Sequence, residues 1–110
     1  MYIHRSRRFQ SKLLTILKHI AKDKVGASEN FQIELDKQID NIPHFPFKYK
    51  PSIYFSDKNV RDMTFKKYTI NYEINLDKNR IEVMDIFNRN KPSYLTIVSS
   101  LNSISVSNNA

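Results

Sequence analysis

The sequence predicts an α+β fold: an N-terminal strand and a helical hairpin packed on an antiparallel β-meander. Three observations predict it. Tyr68, Ile70, Tyr72, Ile74 and Leu76 alternate with Thr69, Asn71, Glu73 and Asn75, the period of a strand with one buried face. Val60–Phe65 and Arg80–Phe87 flank that strand through the short polar links Lys66-Lys67 and Asp77-Lys78-Asn79, which suit hairpins. Two stretches ahead of Pro43 carry apolar residues at helical spacing, and a meander with one apolar face needs such a cover.

Tyr2-Ile3-His4 is short and β-prone and supplies an edge or a central strand. In Arg5–Ala21 the residues Phe9, Leu13, Ile16, Leu17 and Ile20 form one apolar stripe, with Ser6 as N-cap. Arg7, Arg8, Lys12, Lys18 and Lys22 fall mostly on the other face, read as plain wet surface. Asp23–Ser28, with Gly26, breaks the pattern. A second helix then runs to about Ile42 with Phe31, Leu35, Ile39 and Ile42 as its stripe, and Pro43 ends it. Two amphipathic helices with a short joint form an antiparallel hairpin. The connector Ile42–Pro51 is stiffened by its prolines. Lys48-Tyr49-Lys50 is a candidate short strand, Ile53-Tyr54-Phe55 is β-prone, and Ser56–Asn59 is a polar turn. Ile81, Val83, Ile86 and Phe87 make the last strand apolar on much of both faces, hence central in the sheet. After Lys91 no charged side chain occurs. Leu95, Ile97, Val98, Leu101, Ile104 and Val106 lie among serines and asparagines there, in a pattern that fits a helix or a strand.

The bulk numbers set the class. With 110 residues and 40% apolar content, one domain with one real core is expected. The absence of cysteine removes disulfides and thiolate metal sites and fits a reducing compartment. No apolar run is long enough to span a bilayer, and the basic N-terminus lacks the apolar core of a signal peptide, so a cytoplasmic location without membrane partners is expected. The net charge of +7 implies attraction to polyanions or to acidic protein segments. A single glycine leaves no phosphate-cradling loop.

The order of elements and one long run of residues resemble a family. Asn59-Val60-Arg61-Asp62-Met63-Thr64-Phe65-Lys66-Lys67-Tyr68-Thr69-Ile70-Asn71-Tyr72-Glu73-Ile74 is similar to the corresponding run of RelE/ParE toxins of bacterial type II toxin–antitoxin pairs. Phe45-Pro46 after the second helix, Ile81-Glu82-Val83 and Ile86-Phe87-Asn88-Arg89 support it. The resemblance covers residues 1–92, read as the toxin domain, and leaves 93–110 as an uncharged tail. It implies a growth inhibitor held by a cognate antitoxin through an acidic, partly disordered segment. Family members act in two ways on this one fold: ParE-like toxins poison DNA gyrase by protein binding, and RelE-like toxins cleave mRNA on the ribosome.

A metal-free ribonuclease needs a base or positioner, cations and a proton donor. If the chain is RelE-like, the resemblance implies Lys48, Lys50, Arg61, Arg89 and Tyr94 for these roles, with Arg89 foremost. Thr69 stands where that pattern often has arginine, and no histidine follows His44, so Tyr94 would be the acid. The ParE-like reading is therefore placed ahead. The ribonuclease is the alternative, and a non-toxic antitoxin binder the third reading. Each candidate also has a plain structural role. Arg61 is as well placed for a salt bridge to Asp62, Glu73 or Glu82; Lys48 and Lys50 suit a solvated connector; Tyr68 and Tyr72 share the apolar parity; His44 suits a surface. No histidine or carboxylate spacing suggests a metal site, and no cofactor is expected.

Overall fold

The computed structural model describes residues 1–89. The chain runs β1 (Tyr2–Arg5), α1 (Arg7–Asp23), α2 (Val25–Asp40), a 3-10 turn (Ile42–His44), β2 (Lys50–Pro51), β3 (Val60–Phe65), β4 (Tyr68–Asn75) and β5 (Arg80–Asn88). The sheet order is β1-β5-β4-β3-β2. The meander β3-β4-β5 is antiparallel, and β1 adds in parallel to β5 with Tyr2 opposite Arg80 and Arg5 opposite Val83. The N-terminal strand is thus an edge strand, and β5 is interior along Arg80–Val83.

Ser6 starts α1 as expected. Its Oγ accepts from the Phe9 N–H at 3.0 Å and donates to the Met84 carbonyl at 2.8 Å, so one hydroxyl caps the helix and fastens it to β5. The break between the helices is far shorter than the sequence suggests. Lys24 alone is extended, and Gly26 lies inside the first turn of α2. Ser28 is buried and donates to the Leu17 carbonyl at 2.8 Å, which closes the hairpin.

Phe9 and Leu13 of α1, Phe31, Leu35 and Ile39 of α2, and Ile42 pack on Met63, Phe65, Tyr68, Ile70, Tyr72, Ile74, Ile81, Val83 and Ile86 of the sheet. Phe31 meets Phe65 and Tyr68 edge-on, with ring centroids 5.1 and 5.5 Å apart. Both hairpin links place a residue in the left-handed region, Lys66 at φ 53° and Asn79 at φ 50°. Asparagine tolerates that conformation well; Lys66 adopts it within a two-residue link.

Four expectations are corrected. β4 is buried on both faces, not one: Thr69 is 5% exposed and Asn71 0%. The reason is the segment after β2, which folds over the sheet's second face. The Ser52 N–H bonds the Val60 carbonyl, the Ile53 N–H bonds Asp62 Oδ2, and the Tyr54 ring stands edge-on to Phe87 at 5.1 Å. Ile53-Tyr54-Phe55 is accordingly not a strand: Tyr54 packs on the sheet while Ile53 points to solvent at 83% exposure. Leu76 lies beyond β4 and is 62% exposed, because the chain turns at Asn75. The candidate strand at Lys48-Tyr49-Lys50 shrinks to Lys50-Pro51, since proline removes a ladder donor.

Candidate functional site

The connector end of the sheet gathers three of the predicted site residues. Arg61 is the second residue of β3, opposite Tyr72. Its Nε donates to the Lys58 carbonyl at 2.9 Å, and its Nη1 donates to the carbonyls of Tyr49 at 2.9 Å and Phe47 at 3.4 Å. The guanidinium also lies 4.9 Å from the Phe47 ring centroid. No salt bridge to Asp62, Glu73 or Glu82 accounts for Arg61; it is a clamp between the connector and β3, and the ion-pair expectation is corrected. Lys50 pairs in register with Asp62, and Lys48 Nζ lies 5.5 Å from the Tyr49 ring centroid. Lys48 and Tyr49 border a pocket of about 280 Å³ with Gln38, Ile42 and His44. Tyr72 holds the same corner from below, its hydroxyl donating to the Pro46 carbonyl. Burial raises the Tyr72 phenol well above its ordinary pKa; nearby Tyr49 adds to the rise and Arg61 partly opposes it.

Arg89 lies at the opposite end. One rung of the sheet joins Phe65, Tyr68 and Asn88, and the Arg89 N–H bonds the Lys67 carbonyl at 2.7 Å. Arg61 is four residues back along β3, about 13 Å at the strand rise. The structure therefore brings Lys48, Lys50 and Arg61 to one end and sets Arg89 at the other. Tyr94 lies outside the described residues.

Two features escaped the sequence reading. Asp85 is 4% exposed and takes Lys12 Nζ at 2.6 Å and Arg8 Nε at 3.3 Å. The face carrying Arg8 and Lys12, expected to be plain wet surface, is thus partly committed to anchoring α1 on β5. The signal was present: a carboxylate set between Met84 and Ile86 in the apolar run Val83–Phe87, with cations four residues apart on a helix. A register shift between Asn71 and Tyr72 accommodates Met84 and turns Asp85 toward α1. The second feature is on the covered face, where Asn71 Nδ2 donates to Asp62 Oδ1 at 2.6 Å.

Beside Arg89, α1 and the last residues of β5 border a groove of about 500 Å³. Ile16 and Phe87 form its apolar wall, and Lys12, His19 and Lys67 stand around it. Another groove, of about 760 Å³, runs between the helices past Leu14 and Leu17, with Arg5, Arg7, Asp36 and Asp40 around it. Among the described residues no group of three or more histidines or carboxylates is placed to hold a metal ion, and no helix is long and apolar enough to cross a membrane.

A helical hairpin on a mixed five-stranded sheet defines a small α+β domain. A model of the family described as "ParE toxin of type II toxin-antitoxin system, parDE" matches residues 3–92, and the chain belongs to that family. A solved structure titled "Chromosomal ParDE TA system from P. aeruginosa" has a similar fold, with a TM-score of 0.66 at 14% identity over 80% of this chain and 95% of that one. No curated protein matches the sequence.

Proposed function

We propose that this ParE-family toxin stops growth by binding DNA gyrase, and that a cognate antitoxin restrains it through an acidic segment. The observation that supports binding over cleavage is the placement of the arginines. Arg61 spends its guanidinium on the carbonyls of Lys58, Tyr49 and Phe47, and Arg89 sits at the far end of the sheet. A phosphoryl transition state needs its cations converging on one phosphate. Thr69, where the RelE-like pattern often has arginine, is buried beside Asn71 on the covered face. The +7 charge and the open groove bordered by Lys12 and Lys67 suit capture of an acidic partner segment.

The test uses the purified 110-residue chain, freed from its antitoxin. Loss of supercoiling by gyrase at near-stoichiometric toxin, reversed by antitoxin, is the expected result. The ribonuclease alternative, drawing on Lys48, Lys50, Arg61, Arg89 and Tyr94, requires mRNA cleavage only when ribosomes are present. That outcome with intact supercoiling overturns the proposal. Antitoxin binding with neither effect would mark a non-toxic family member.

A further inference from the structure

The connector holds two aromatic rings in water on a backbone that is fixed. Phe45 is 72% exposed and Phe47 45%. With Pro46 they wall a notch of about 650 Å³, and His44 and Lys48 stand beside them. Beneath the rings, each carbonyl from Phe45 to Phe47 has a donor. The Lys48 N–H bonds the Phe45 carbonyl at 3.1 Å, the Tyr72 hydroxyl bonds that of Pro46, and Arg61 Nη1 reaches that of Phe47. Pro43 and Pro46 fix two backbone torsions of the same hook.

Exposed rings on a pinned backbone suit docking, because the ordering entropy is lost on folding rather than on contact. The charge around them says what docks. No Asp or Glu occurs between Asp40 and Asp57, whereas Lys48 and Lys50 both lie there. A protein surface with a carboxylate beside an apolar pocket complements that. Two lysines do not make the track of cations that a nucleic-acid strand requires, and Arg61 uses its guanidinium on carbonyls. A second copy would bring the same acid-free stretch to the same contact, lysine against lysine. The hook also lies at the Arg61 end of the sheet, away from the groove beside Arg89, and leaves that groove to an antitoxin segment.

We infer that Phe45-Pro46-Phe47 is the hook by which the toxin grips its target protein, with Phe45 entering an apolar pocket whose rim carries a carboxylate for Lys48. The inference rests on the reading of this chain as a toxin that acts by protein binding. It does not require that the protein be gyrase.

Full-length chains are induced in bacteria without antitoxin, and the toxin level that halves the growth rate is compared. Phe45→Ala raises that level about tenfold or more, the loss expected when a central aromatic anchor is removed. Its ring is mostly in water, so the melting temperature holds. Lys48→Glu repels the partner's carboxylate without touching a ring and raises the level about fivefold, a second readout should Phe45→Ala fold poorly. Both variants bind the antitoxin with unchanged affinity. Growth arrest by both at the wild-type level overturns the inference. So does loss of antitoxin binding with arrest intact, which would put the antitoxin on the hook. Binding of a labelled single-stranded oligonucleotide that Phe45→Ala abolishes would put nucleic acid there and overturns it too. Wild-type arrest with gyrase supercoiling untouched overturns the gyrase reading alone, and the growth comparison still decides the hook. A wild-type chain without effect on growth has no target to grip and overturns both.

Discussion

The phenol of Tyr72 lies wholly inside the molecule and donates to the Pro46 carbonyl, joining the middle of the sheet to the connector. Its side chain was predicted as packing, from parity alone; the polar partner came from a segment many residues earlier. Tyr72→Phe leaves that carbonyl unpaired and should cost about 1 kcal/mol, lowering the melting temperature by roughly 4–8 °C. Burial also raises the phenols of Tyr54 and Tyr68, with Asp62 adding to the rise at Tyr54. A phenol raised in the folded state keeps its proton while the unfolded chain loses it. The associated stability is full below the ordinary tyrosine value of about 10 and is lost as pH climbs toward the raised values. Urea unfolding followed from pH 8 to pH 11, with tyrosinate absorbance as a second probe, should show this decline, and Tyr72→Phe should flatten it. A second test at this scale concerns Arg61. Arg61→Lys keeps the charge but loses the fork that reaches three carbonyls. It should destabilise by about 1–2 kcal/mol, read as a lower urea midpoint at unchanged slope. An unchanged midpoint would remove Arg61's role as a clamp.

Among the elements, α1 was the most legible and the joint with α2 the least. The stripe from Phe9 to Ile20 and the Ser6 cap are local patterns, and both held. Asp23–Ser28, with Gly26, was read as the break, yet the hairpin turns on Lys24 alone. A Cβ added at Gly26 meets nothing within 4 Å, and its φ is not in the left-handed region. Gly26→Ala should therefore stabilise by roughly 0.5–1 kcal/mol, raising the melting temperature by a few degrees. Ser6→Ala should cost about 1–2 kcal/mol, since the same hydroxyl caps α1 and binds Met84. The two substitutions make a matched pair: opposite signs in one thermal-melt series, both predicted from backbone accounting. β4 teaches the complementary lesson. Its alternating pattern fixed which residues face the helices, but Thr69 and Asn71 read as solvent-facing because nothing local shows that Ser52 and Tyr54 fold back over them.

At the scale of the whole molecule, charge decides kinetics more than stability. A net charge of +7 on a domain this small produces a field that speeds encounter with an acidic segment. Exposed charges more than about 10 Å apart are screened from one another at 0.1 M salt. The association rate with an acidic antitoxin segment should therefore fall at least roughly tenfold between 0.05 and 0.5 M salt, while dissociation changes much less. Stopped-flow mixing separates the two. A salt-independent association rate would mean that the apolar walls of the grooves, rather than their cationic rims, guide the partner. The sheet's outer edge on β3 is managed within the fold: Gln38 Nε2 of α2 donates to the Thr64 carbonyl at 2.9 Å, and Lys50-Pro51 blocks further pairing.

The sequence by itself determined the α+β class, the two helical stripes, the meander with its hairpin links, the Ser6 cap and the family. Each is written in near neighbours, where a period of two or nearly four, a proline or a capping hydroxyl acts within one element. Tertiary structure alone decided the parallel edge position of β1, the burial of β4 on both sides, the clamp made by Arg61 and the anchoring of Asp85 by Arg8 and Lys12. It also decided that Arg61 and Arg89 stand at opposite ends of the sheet. Those outcomes depend on which distant groups meet. A guanidinium takes whichever carbonyls the returning connector presents, and a buried carboxylate takes whichever cations the helix brings over it.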